Sequence, residues 1–238
     1  MILSVLLINM VSAQTATGGV GKSDSLEQAL STKKEPSEKI ATLLLLAQEN
    51  LAINNPKALS SALKAYQIAE QAEIDSGRLQ SMLQLIWIYY IDSEYAKALD
   101  YATRSNELAT RLDMKKEVAL ALDGIGAIFD DFGDKDKSSE YYFKSLKIYE
   151  ELQETRGMAQ ATSRIGVLYY KQKNYQKALE YLFISLDLSR KTNLSDGITS
   201  NLNSIANVYA DQNDFQKALK NYEEAIDIAV KQDRKSVV

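Results

Sequence analysis

The stretch "ATGGVGKS", residues 16–23, holds the residue types of a phosphate-binding loop, ending in Gly21, Lys22 and Ser23, with Ala16 where the stricter pattern has glycine. In such a loop successive backbone N–H groups cradle the phosphates, the lysine reaches the terminal ones and the hydroxyl holds magnesium. That chemistry needs a strand leading in, a helix leading out and an acidic metal partner on a parallel neighbour. The flanks "ILSVLLINMVS" and "DSLEQALSTKK" read as such a strand and helix, so a nucleotide-binding protein is one alternative to set against the rest of the chain.

The other reactive groups narrow the choice. The 238 residues include no histidine and no cysteine. That removes the commonest transition-metal ligands, the thiol nucleophile and the side chain that titrates near neutrality. The acidic stretch "DDFGDKDKSSE", 130–140, has no glycine at the sixth and no glutamate at the twelfth position of a calcium loop counted from Asp130 or Asp134, and reads as a solvated turn. A net charge of −4 offers no basic face for nucleic acid. The expectation is a protein that is not an enzyme, with no cofactor, no metal and no nucleic-acid partner.

Hydrophobic residues make up 45% of the chain, and only two prolines interrupt it, so a full core is available. At the amino terminus an apolar run, Ile2 to Ile8, is followed by the small-residue end Val11-Ser12-Ala13. This is the layout of a secretory signal over residues 1–13, although its usual basic start is missing, and it implies export to the periplasm or cell envelope. A cytoplasmic location is the alternative. Residues 14–35, with Gly18-Gly19 and many Ser, Thr and Lys, read as a flexible polar linker.

From residue 36 onward the chain repeats every 40 residues, giving units 37–76, 77–116, 117–156, 157–196 and 197–236. One apolar column is Leu45, Leu85, Ile125, Ile165 and Ile205, followed at helical spacing by Ile88, Ile128, Leu168 and Val208, with Gln48 the exception. A small-residue column runs Gly126, Gly166 and Ala206, which Leu46 and Ile86 break. A second helix per unit carries Ala58, Ala98, Ser138, Ala178 and Ala218. Asn54, Glu94, Asp134, Asn174 and Asp214 form a column of N-capping residues between the helices, and Gly77, Gly157 and Gly197 mark the junction between units. Each unit is therefore two antiparallel helices of roughly 16 to 18 residues that must stack on their neighbours to bury an apolar face.

The set Gly166, Tyr169, Ala178 and Leu182 resembles the tetratricopeptide repeat, in an extended 40-residue variety, over residues 36–238. The resemblance implies an all-α fold, a right-handed α-solenoid of about five antiparallel helix pairs. It also implies a concave groove, lined by the first helix of each unit, that binds a protein or peptide. The groove residues it nominates are Trp87 and Tyr90, then Asp130 and Asp131, then Gln160, Ser163, Tyr170 and Lys171, and last Asn203, Asn207 and Asp211. Packing inside the array is the competing assignment for the aromatic ones. Tyr222, Ile226 and Ile228 give the last helix an apolar stripe with no polar capping helix after it. That invites self-association, or a place as the extracytoplasmic input segment of a larger bacterial signal transducer whose output domain is a histidine kinase, a cyclase or a DNA-binding regulator.

Overall fold

The computed structural model describes the backbone of residues 16–236 and the side chains of residues 21–231. The expected secretory signal lies outside them. Eleven α-helices and no strand occur among the described residues. Helix α1 is Ala16–Thr32. Five first helices follow: α2 (Pro36–Asn50), α4 (Asp75–Ile91), α6 (Lys115–Asp131), α8 (Thr155–Lys171) and α10 (Ser195–Asp211). They alternate with five second helices: α3 (Asn55–Gln71), α5 (Tyr95–Arg111), α7 (Lys135–Glu151), α9 (Tyr175–Lys191) and α11 (Phe215–Ser236). The all-α repeat fold expected from the periodicity is the one observed. No helix among the described residues is long and apolar enough to cross a membrane.

The period has a backbone cause. Positive φ recurs at 20-residue intervals, at Glu73, Ser93, Asp113, Gly133, Gln153, Lys173, Asn193 and Asn213. At the end of α4, Ser93 N–H donates to the Tyr90 carbonyl at 3.0 Å and Glu94 N–H to the Tyr89 carbonyl at 2.9 Å. That pair of bonds is the Schellman ending, which satisfies orphan carbonyls through one left-handed residue. The same long bond recurs at Ile74, Met114, Glu154, Asn174, Leu194 and Asp214. The residue that completes one helix's ending is the N-cap of the next, which holds each turn to three residues. Asn54, Asp134, Asn174 and Asp214 accept the backbone N–H three residues on at 3.1 to 3.3 Å, whereas Glu94 makes no such bond.

Gly77, Gly157 and Gly197 do not supply the turns. They lie inside the first turn of α4, α8 and α10, after the left-handed residue. A Cβ on Gly157 would lie 2.3 Å from the Tyr149 ring, so this glycine exists to admit a buried tyrosine. Ile86, which breaks the small-residue column, is accommodated in the same way: a Cβ on Gly124 would meet its Cγ2 at 2.7 Å. Gly166 keeps the role read from sequence, since a Cβ there would lie 2.7 Å from Leu182 Cγ and 3.1 Å from its backbone nitrogen.

The helices form two compact blocks, residues 16–133 and 134–236. In the amino-terminal block, Ala47, Ala58, Ala62, Leu85, Ile88 and Ala98 form one core and Ile40, Leu43, Leu46, Ala65 and Ala69 another. In the carboxy-terminal block, Ala178, Leu182, Leu186, Leu202, Ile205 and Val208 pack together. Leu45 departs from its column and is 49% exposed, because no preceding helix pair lies against that side of α2 among the described residues.

Residues 14–35 are not a linker where they are described. Helix α1 packs on α2, with Leu26 and Leu30 against the Ile40–Leu43 core. Seventeen residues and a three-residue turn give it the dimensions of a second helix. The glycine-rich stretch is therefore helical, and its chemistry is spent on packing. Lys22 pairs with Glu49, while buried Ser23 accepts from Asn50 Nδ2 at 3.1 Å and Lys57 Nζ at 2.9 Å. Lys57 also pairs with Glu27 at 2.9 Å. With Lys22 and Ser23 engaged by α2 and α3, neither is placed to serve a phosphate as the loop chemistry requires, and the described residues give the nucleotide-binding alternative no support.

Candidate functional site

First helices lie side by side within each block: α2 with α4 and α4 with α6 in the first, α8 with α10 in the second. Each shows one wall that second helices do not cover. The residues available on that wall depend on how much of each helix packing consumes.

In the amino-terminal block packing consumes most of it. Helix α4 touches α2, α3, α5 and α6, and ten of its residues are buried. Trp87 is one of them, at 8% exposure, and is not a presented anchor. Its indole starts a ladder of edge contacts: to Tyr90 at 5.7 Å, from Tyr90 to Tyr95 at 5.8 Å and from Tyr95 to Phe132 at 5.5 Å. The ladder surfaces at Phe132, which is 55% exposed. Tyr90 and Asp130 are half-buried and Asp131 is exposed.

The carboxy-terminal block keeps a more polar wall. Gln160, Tyr170 and Lys171 of α8 and Asn203 and Asn207 of α10 are half-buried, and Asp211 is exposed. Tyr170 donates a hydrogen bond to Asp211. Burial first, then that bond and the carboxylate's charge, push the Tyr170 hydroxyl up to about 12, so it is a neutral donor at any physiological pH. Tyr222 of α11 donates to Asn207 Oδ1. The amides of Gln160 and Asn203 make no hydrogen bond with a described residue and remain open to a ligand.

Ser163 is buried and belongs to a different constellation. It donates to Asn201 Oδ1 at 2.9 Å, and Asn201 Nδ2 donates to Ser185 Oγ at 2.8 Å and Ser189 Oγ at 3.4 Å. Ser185 continues to the Ala159 carbonyl at 2.7 Å. Asn201 was legible only as a break: its column elsewhere is Ala41, Ser81, Ala121 and Ala161. The network is closed on itself and holds α8, α9 and α10 in register. No group of three or more acidic side chains among the described residues is arranged to hold a metal ion.

Residues 157–229 match the tetratricopeptide repeat family model. These residues span α8 to α11, the stretch in which glycine, tyrosine, alanine and leucine stand closest to the repeat's pattern. Over those helices the chain is similar to the tetratricopeptide repeat family. No curated protein sequence matches it. Among solved structures, BtubC from P. vanneervenii is similar over 92% of this chain and 93% of its own, at 17% identity and a TM-score of 0.67. The apo form of RapI is similar over 83% of this chain and 72% of its own, at 20% identity and a TM-score of 0.68. A Rap protein complexed with Competence and Sporulation Factor is similar over 92% and 72%, at 18% identity and a TM-score of 0.65. At these identities the likeness is one of fold. A repeat fold of this kind is consistent with protein–protein interaction.

Proposed function

We propose that this tetratricopeptide-repeat protein is a non-catalytic module that binds an extended peptide or protein segment on the wall formed by α8 and α10. The observation that supports it is the row of accessible polar groups on adjacent first helices. Gln160 and Asn203 have free amides, and Tyr170, Lys171, Asn207 and Asp211 flank them. Side-chain amides can pair with both the N–H and the C=O of a partner's main chain, which suits a segment bound in extended form. The acidic Asp211 disfavours an anionic terminus beside Tyr170. In the other block Tyr90, Asp130 and Asp131 are the corresponding candidates, with Phe132 as an apolar contact.

Panning a random peptide library displayed on phage against the full chain tests the proposal. Selected peptides should bind with micromolar affinity and lose about tenfold on Asn203→Ala or Gln160→Ala, with folding unchanged by circular dichroism. Peptides that bind both variants as well as the parent would place the binding face elsewhere.

A second reading makes the module the input segment of a larger signal transducer, exported by the signal over residues 1–13. It is favoured by the apolar run Ile2 to Ile8 before Ala13, and by the similarity to a Rap protein complexed with Competence and Sporulation Factor. Fusing residues 1–35 to a phosphatase that is active only outside the cytoplasm checks the export step. Activity is expected, and an inactive fusion would remove this reading.

A further inference from the structure

Helix α11 ends the described fold with an apolar face turned to solvent. Phe215, Leu219, Ile226 and Val230 are 65%, 59%, 61% and 43% exposed. Their spacing, with half-buried Tyr222 between them, puts them on one side of the helix. The stripe differs from the one read in sequence, because Ile228 turns inward and packs near Ala225 and Val208. In α9 the equivalent residues Tyr175 and Leu179 are partly buried against the next first helix, α10. Phe215 and Leu219 keep that apolar character with nothing against them among the described residues. An exposed apolar patch of this kind marks an interface.

We propose that the occupant is a second copy of this chain, its α11 packed antiparallel against the first. The charges beside the stripe select that occupant. Lys220, Glu223 and Asp227 form a row at helical spacing along one edge of the stripe, exposed and without an ion pair to any described residue. A two-fold axis perpendicular to both helices near Tyr222 and Glu223 keeps the two rows on the same side. It sets Lys220 of each copy beside Glu223 and Asp227 of the other. A parallel pairing would separate the rows onto opposite sides.

Analytical ultracentrifugation of the full chain over about 1 to 200 μM tests this. The parent should sediment at twice the chain mass. Ile226→Glu should weaken association by about a hundredfold while the circular-dichroism melt stays that of the parent. Lys220→Glu alone should weaken it by about tenfold, and adding Glu223→Lys and Asp227→Lys in the same chain should restore it. The restoration is the result that a merely destabilised helix would not give. A parent that stays monomeric throughout, a mass that climbs past the dimer with concentration, or a dimer that ignores Ile226→Glu and the charge reversals would each overturn the proposal.

Discussion

The two blocks use one helical unit and finish it in different ways. In the amino-terminal block helix α1 covers the first pair with Leu26 and Leu30 and with polar contacts: Lys22 to Glu49, Ser23 to Asn50 and Lys57, and Glu27 to Lys57. At the carboxy-terminal end the last helix turns phenylalanine, leucine and isoleucine outward. Elsewhere the columns agree. Tyr89 stacks on Tyr101 at 5.6 Å, and Tyr169, 80 residues on, stacks on Tyr181 at the same 5.6 Å. Lys97, Lys177 and Lys217 lie 5.1 to 5.3 Å over the rings of Tyr89, Tyr169 and Tyr209. In the first unit the tyrosine of that column is Glu49, and Lys57 turns to α1 instead. The comparison teaches that the break in this tyrosine–lysine column marks the place where the neighbour is α1 and not a complete repeat.

Paired substitutions, one in each block, can break this account. The largest contrast is expected between Gly157→Ala and Gly77→Ala. The first drives a methyl into the buried Tyr149 ring and should cost about 3 kcal/mol by urea denaturation. The second meets Ala69 and Ile40 at 3.1 Å. Its small steric cost is offset by about 1 kcal/mol of helix propensity, leaving stability nearly unchanged. Equal losses would mean that the Tyr149 ring relaxes freely.

A smaller contrast separates the two buried asparagines. Asn201→Ala strands Ser163 and Ser189, leaves Ser185 only its Ala159 bond, and should cost about 2 kcal/mol. Asn50→Ala leaves Ser23 its lysine partner and should cost about 1 kcal/mol. Hydrogen exchange resolves the two losses by block: the first should loosen α8 to α10, the second α1 to α3.

The alkaline limb comes next. Tyr170 rises from 10.0 to about 12 on folding, so between those values the native state holds a proton that the unfolded chain has released. Stability therefore falls as pH rises through that window, and Tyr170→Phe should flatten the fall. An unchanged slope would mean that the Tyr170–Asp211 bond does not set it.

The smallest effect belongs to Lys22. Its pair with Glu49 is half open to water, so Lys22→Ala should cost about 0.5 kcal/mol or less. Magnesium–nucleotide should leave the melting temperature of parent and variant alike. A shift in the parent alone would return the glycine-rich stretch to phosphate chemistry.

Much of the fold was legible because its signal is repeated. Five copies of an apolar column at helical spacing fix helix type, length and order, and Asn54, Asp134, Asn174 and Asp214 announce their caps directly. The glycines were misread because glycine relieves two different constraints, a left-handed backbone and a close neighbour. Only the Tyr149 ring over Gly157 shows which one applies. The wall residues were half legible. Periodicity gives the face of a helix but not how far its neighbours wrap around it, so Trp87 and Ser163 fell inside while Tyr170 and Asn203 stayed accessible.

By itself the sequence determined that the chain is a row of paired helices, because hydrophobic spacing and capping are local, and each unit restates them. It did not determine where the row is closed. The covering of α2 by α1 and the exposure of Phe215, Leu219 and Ile226 on α11 depend on which surfaces meet across long stretches of chain. A lysine beside a glycine is the same string whether its ammonium meets a phosphate or Glu49; the backbone around it, helical here, makes the choice.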